Sequence, residues 1–188
     1  MSFIYHTIIG FAILVASPAI VLRIIFSSNF RSDFLKRILG YKVFEPLNGC
    51  VWIHAASVGE VRLGKALISK LKEEGETRPI VLSTFTSTGF DQAKKEEVKY
   101  VFRMPPDFLL WIKPVLNHLC PAILVLIEAE MWPGLISECN RRKIPVLLAN
   151  GRITQKSFDR YRSFSFVFKW IAANVSFFSM RTKKDADR

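Results

Sequence analysis

Six short apolar segments at near-regular intervals constrain this 188-residue chain more than any other feature. Residues 51–55, 79–85, 100–104, 122–127, 144–149 and 175–180 read as strands, with 122–127 the most apolar of them. Apolar runs of this length, bounded by turn residues, suit strands buried on both faces. The stretches between them have helical period. Residues 60–74 place Gly64, Leu67, Ile68 and Leu71 on one face and Arg62, Lys65, Lys70 and Lys72 elsewhere, with Gly75 as the C-cap. A short polar helix follows Thr86-Ser87-Thr88-Gly89 through Lys95, and 108–118 is helical in period despite Pro114. Another helix runs from Pro133, at its first position, through Arg142; 154–172 reads as one more, and Thr182 opens a further turn. Strands alternating with helices in units of roughly 25 residues require right-handed crossovers and a parallel sheet. The expected fold class is α/β, a doubly wound parallel sheet.

The amino-terminal end has a different character. Residues 3–26 are almost uninterruptedly apolar, with His6, Pro18 and Arg23 as exceptions. About 20 such residues span a bilayer as a helix, in which Pro18 would introduce a kink and Arg23 would snorkel towards headgroups. No basic segment precedes the run and no clear small-residue cleavage site follows it, which favours an anchor over a cleaved signal peptide. A buried core helix is the other reading. Arg23, Arg31, Lys36, Arg37 and Lys42 follow the run, so the positive-inside rule puts the main domain in the cytoplasm. The same cations can meet anionic phospholipid headgroups. The expected division is an anchor over 1–27 and an α/β domain over 28–188.

Lys and Arg total 27 against 16 Asp and Glu, a formal charge of +11 that suits anionic partners or simply a basic solvated surface. Cys50, Cys120 and Cys139 are widely spaced and form no C-x-x-C pair, so neither a disulfide framework nor a zinc site is indicated.

In open parallel sheets, ligands bind beyond the carboxyl ends of the strands. Four segments there carry polar residues that a core does not need: Ser57-Val58-Gly59-Glu60, Thr84-Phe85-Thr86-Ser87-Thr88-Gly89, Glu128-Ala129-Glu130 and Asn150-Gly151-Arg152. Because parallel strands share one direction, all four should converge on one edge. Glu60 reads either as a first-turn acid favoured by the helix dipole or as a general base; Ser57 three residues earlier would complete a capping box. Glu128 and Glu130 share one side only if the strand persists through them. Arg152 is a surface cation or a grip for phosphate or carboxylate, and the Thr/Ser/Gly loop can offer hydroxyls and N–H groups to an anion. Ala55-Ala56-Ser57-Val58-Gly59 also fits a loose nucleophile elbow, but a Ser57 hydrolase would need a late histidine, and only His118 follows. His6 and His54 read as structural. A membrane-anchored α/β module that binds lipid or phosphate without chemistry is the remaining alternative.

Taken together, His54-Ala55-Ala56-Ser57-Val58-Gly59-Glu60, Thr84-x-Thr86-x-Thr88-Gly89, Glu128-x-Glu130-x-Trp132-Pro133 and Asn150-x-Arg152 resemble the amino-terminal half of bacterial 3-deoxy-D-manno-octulosonic acid (Kdo) transferases, over essentially the whole chain. The resemblance implies the Rossmann-like first domain of a GT-B glycosyltransferase, held at the inner membrane by one amino-terminal anchor. It implies inverting transfer of Kdo from CMP-Kdo to the 6′-hydroxyl of a lipid A precursor, with no cofactor, no metal and no nucleic-acid partner. Glu60 would be the general base and Glu130 the acid that stabilises the transition state. Ser57, Gly59, Thr86, Thr88, Gly89, Glu128, Asn150 and Arg152 would shape the acceptor side. Two positions depart from the family pattern: Gly134 stands where Asn is usual, and Gly151 where Ala is frequent. The donor-binding carboxyl-terminal domain lies outside these residues, so the chain alone is expected to be inactive.

Overall fold

The structure, a computed structural model, describes residues 2–96, 98–128 and 131–188, and only the backbone of Ser2, Phe3 and Arg160. Six strands form one all-parallel sheet: β1 (Val51–His54), β2 (Ile80–Thr84), β3 (Tyr100–Arg103), β4 (Ile123–Ile127), β5 (Val146–Gly151) and β6 (Phe177–Met180). Their order across the sheet is β3-β2-β1-β4-β5-β6. The chain therefore winds outwards in one direction from β1, returns, and winds in the other from β4, placing the topological switch point between β1 and β4.

Alternation along the strands separates two cores. Trp52, Leu124, Leu126, Val146 and Leu148 point to one face, where they meet Ile112 and Leu116 of α5 (Leu109–Leu119), Leu135 and Cys139 of α6 (Pro133–Arg141) and Ile171 of α8 (Ser165–Ala172). Val51, Ile53, Leu82, Val125 and Ile127 point to the other, under Val61 and Ile68 of α3 (Val58–Glu73) and Ala93 of α4 (Ser87–Lys95). Helices on both faces confirm the doubly wound α/β reading. Gly75, at φ +88°, follows α3 in the left-handed conformation that the expected C-cap requires. All three cysteines are free thiols.

Two local outcomes differ from expectation. The stretch read as one helix over 154–172 is two, α7 (Gln155–Ser163) and α8, separated where Phe164 leaves helical geometry at ψ 38°. The break lets α8 bury Ile171 while α7 stays on the surface. Residues between the apolar run and β1, left unassigned by periodicity, form α2 (Ser28–Leu39) and a 3-10 turn (Gly40–Val43). Ser27 caps α2 by accepting the Phe30 N–H.

The apolar run forms the expected helix, α1 (Ser2–Phe26), which continues through Pro18. Proline cannot donate to the carbonyl four residues back. Here the Ser17 hydroxyl donates to that carbonyl, on Leu14, at 2.7 Å, so the acceptor is satisfied and the helix continues.

Candidate functional site

The site is built outwards from β1. Its last residues, His54, Ala55 and Ala56, are buried, and Ser57 then turns the chain into α3 as an N-cap with extended backbone. Ser57 Oγ accepts the Glu60 N–H at 3.4 Å and donates to Glu60 Oε1 at 2.8 Å. Glu60 Oε2 accepts the Ala56 N–H at 2.9 Å. Ser57 thus caps the helix as expected, while Glu60 reaches back one residue past the N-cap, to Ala56; together these bonds hold both carboxylate oxygens of a residue only 9% exposed. A carboxylate has about four acceptor positions in all, so hydrogen bonds of this kind are compatible with receiving a proton.

Beside it, Thr86 clamps β1 to the start of α4. Its N–H and Oγ1 both donate to Ala56 O, at 3.0 and 2.9 Å, while Oγ1 accepts the Gly89 N–H at 3.0 Å. A Cβ on Gly89 would lie 2.8 Å from Thr86 Oγ1 and 3.1 Å from Ala56 O, so only glycine lets α4 sit this close to the Ser57 turn. Thr88 is exposed on the outer side, and Gly59 is exposed with, among the described residues beyond its own helix turn, nothing within 4 Å of where a side chain would begin.

Trp132 ties the third segment to the first two: its ring packs edge-on against His54 at 5.0 Å and Phe85 at 5.2 Å between centroids. His54 is fully buried, with Nδ1 2.8 Å from Ser83 Oγ, which also accepts the Trp52 indole N–H. Burial pushes its pKa down to about 3, against a smaller opposing pull from Ser83, so the imidazole is neutral. The structural reading of His54 stands.

Glu128 ends β4 at φ +60°, half-buried, and its N–H donates to Ala149 O. The strand does not persist past Ile127. Glu130 lies outside the described residues. Asn150 sits next door on β5 at φ +55°, half-buried, and Arg152 is exposed just beyond. Following the strand order, the segments bearing Thr86, Glu60, Glu128 and Asn150 line one edge, over a width of roughly 14 Å at ordinary strand spacing. Among the described residues no group of three His, Cys, Asp or Glu side chains could hold a metal.

Ser57 has Glu60, not a histidine, as its side-chain partner, and His118 bonds Phe44 O from the end of α5, which leads into the opposite, amino edge of the sheet. The nucleophile-elbow reading fails on both counts.

Four residues were not assigned to the edge by the sequence reading. Arg37 Nη1 and Arg103 Nη2 both donate to Phe85 O, at 2.8 and 3.3 Å, and Asp33 of α2 pairs with both arginines. They flank a cleft of about 530 Å³ lined by Lys36, Ser87, Phe90, Lys94 and Arg103. Asp107 accepts the Gly134 and Leu135 N–H groups at 2.8 Å each, capping α6 from 27 or more residues away, a separation no local pattern reveals.

Residues 32–188 match the family described as 3-deoxy-D-manno-octulosonic-acid transferase (kdotransferase). The chain belongs to that family. It is 35% identical over 143 residues to a bifunctional glycosyltransferase/methyltransferase of Fusobacterium nucleatum, covering 73% of this chain and 22% of that protein. It is 35% identical over 113 residues to the 3-deoxy-D-manno-octulosonic acid transferase of Haemophilus influenzae, covering 59% and 26% respectively. The enzyme of the same name from Chlamydia trachomatis is 29% identical over 162 residues, covering 84% and 38%. The chain thus spans between about a fifth and two fifths of the length of these relatives. In this family of Kdo transferases, the matched region begins within α2 and leaves α1 outside it.

Proposed function

We propose that this chain is the acceptor-holding domain of a glycosyltransferase that moves Kdo from CMP-Kdo to the 6′-hydroxyl of a lipid A precursor at the cytoplasmic face of the inner membrane. The observation that carries the reading is the carboxyl edge of the sheet. There Thr86 locks the α4 loop onto Ala56, and Trp132 packs against His54, in a chain that belongs to the Kdo transferase family.

Glu60 acts as the base. Its carboxylate takes the proton of the acceptor hydroxyl as that oxygen attacks the anomeric carbon of Kdo from the face opposite CMP. The sugar–phosphate bond breaks, CMP leaves with the electron pair, and configuration inverts. The Ser57 and Ala56 hydrogen bonds keep the carboxylate aimed, and alignment of this kind is a large part of general-base efficiency. Glu130 stabilises the transition state by its place in the E-x-E-x-W-P motif. Gly59, Thr88, Gly89, Glu128, Asn150 and Arg152 border the acceptor, with exposed Arg152 suited to its anionic groups. The donor is held by a further domain. Anionic phospholipids meet Arg23, Arg31 and Lys36, all exposed beside the end of α1.

The test is product analysis. A protein carrying this chain together with a donor domain is incubated with CMP-Kdo and lipid A precursor. The expected products are CMP and a precursor bearing Kdo on its 6′-oxygen. Unmodified precursor, or Kdo released to water alone, would contradict the proposal.

A further inference from the structure

The apolar helix α1 is long enough to cross a bilayer, yet both of its ends are fixed to the same water-facing domain. At the amino-terminal end, Tyr5 Oη donates to Asp107 Oδ2 at 2.8 Å. Asp107 in turn holds the first N–H groups of α6. His6 packs its ring edge against Phe108, at 6.3 Å between centroids, and lies over the bare Cα of Gly134. A side chain at Gly134 would begin 2.7 Å from Asp107 Oδ1 and 2.9 Å from His6 Cε1, so glycine, at the position where the family usually has Asn, opens the notch that receives the helix. At the carboxyl-terminal end, Arg31 of α2 donates to the Ile24 carbonyl at 3.1 Å, and the Arg23 guanidinium sits over the Phe30 ring.

Over its 25 residues the helix is about 37 Å long, and about 28 Å of it lies between the attachments at Tyr5 and Ile24. The hydrocarbon core of a bilayer is about 30 Å thick. A helix that crossed it would carry Tyr5 and His6 to the far side of the membrane from Asp107, Phe108 and Gly134. Those contacts and a transmembrane path exclude each other.

Exposure along α1 follows the same division. Tyr5, His6, Ile9, Gly10, Ile13, Ser17, Ile20 and Ile24 are half-buried and recur every three or four residues, which is one face of a helix. That face carries Tyr5, His6, Gly10 and Ser17. The opposite face is open and, apart from Thr7 and Arg23, apolar: Phe11 is 67% exposed, Leu14 68% and Phe26 81%. An isolated helix lying in a membrane surface needs a polar face turned to water. Here the domain takes that role, because it covers the polar face itself.

We infer that α1 lies flat in one leaflet, docked lengthwise on the domain, with its open face immersed in the acyl chains of an anionic phospholipid bilayer. Charge favours this occupant: Arg23, Arg31 and Lys36 are exposed at the end of the apolar face, where headgroup phosphates would meet them, in a chain of formal charge +11. The inference rests on the membrane attachment proposed above and deepens it. Because Asp107 and Gly134 lie at the starts of α5 and α6, on the carboxyl side of the sheet, the flat helix would bring the bilayer surface to the edge that bears Glu60. A membrane-embedded acceptor could then reach that edge while its acyl chains stay in the leaflet.

The experiment is a two-sided thiol labelling of Ser2→Cys in the full protein, expressed in spheroplasts and probed with a membrane-impermeant maleimide. Exposed Cys120 serves as the internal marker of the domain's side. The expected result is a membrane-bound protein with no label in intact spheroplasts and label on both thiols after lysis. Label at residue 2 before lysis, with Cys120 still protected, would overturn the flat placement and leave attachment standing. Recovery of the protein in the soluble fraction would overturn attachment as well.

Discussion

At Glu60 two roles that look like rivals in the sequence occupy one geometry. The acid three residues after Ser57 bonds the cap hydroxyl and the Ala56 N–H just before it, and the same bonds fix a buried carboxylate at the carboxyl edge of the sheet. That pairing was legible, because a capping box is a local spacing. The clamp from Thr86 to Ala56 was not, since its partners are 30 residues apart and meet only when β1 pairs with β2. Gly59 gives the cleanest discrimination between packing and binding. Among the described residues beyond its own helix turn, no atom lies within 4 Å of its missing Cβ, and alanine is the better helix former. Gly59→Ala is expected to leave the fold intact and raise stability by about 0.5–1 kcal/mol. It should nevertheless weaken transfer at least tenfold by filling the space where the acceptor approaches. Thermal melts and transfer rates on the same preparation check both halves, and unchanged transfer would remove Gly59 from the site.

Elements were read well where period and punctuation agree and poorly where tertiary contacts decide. All six strands and the parallel doubly wound class followed from apolar runs alternating with helical periods. The break at Phe164 did not, because both halves of 154–172 have helical period and only the burial of Ile171 separates them. Pro18 leaves the helix assignment unbroken, and the Ser17 hydroxyl satisfies the Leu14 carbonyl that proline cannot reach. Within β1, His54 makes a further demand on the core. Burial lowers its pKa from 6.5 to about 3, so between those values the unfolded chain binds a proton that the folded one does not. Stability is therefore full above about pH 6.5 and declines as pH falls towards 3, by up to about 1.4 kcal/mol per pH unit. Unfolding midpoints measured across that range should fall with acid, and His54→Gln should flatten the slope. An equally steep acid loss in the variant would assign it to other groups.

For the whole molecule, the strand order places the switch point between β1 and β4, and the polar segments after those strands and their neighbours share one edge. Convergence was legible from parallelism alone. The lengthwise docking of α1 was not, because a spanning helix and a docked one have the same apolar composition, and only Asp107, Phe108 and Gly134 distinguish them. The central claim is that this edge supplies the base that activates the acceptor. The most direct measurement is the rate of Kdo transfer by Glu60→Gln in the full protein at saturating CMP-Kdo. Glutamine keeps a carbonyl oxygen that can accept from Ala56 or Ser57, so the cap and the fold should persist, as circular dichroism would show. Loss of a positioned general base is expected to slow transfer by about 10²–10⁴-fold, with little change in the acceptor KM. Transfer by Glu60→Gln at the rate of the unmodified protein would contradict the claim.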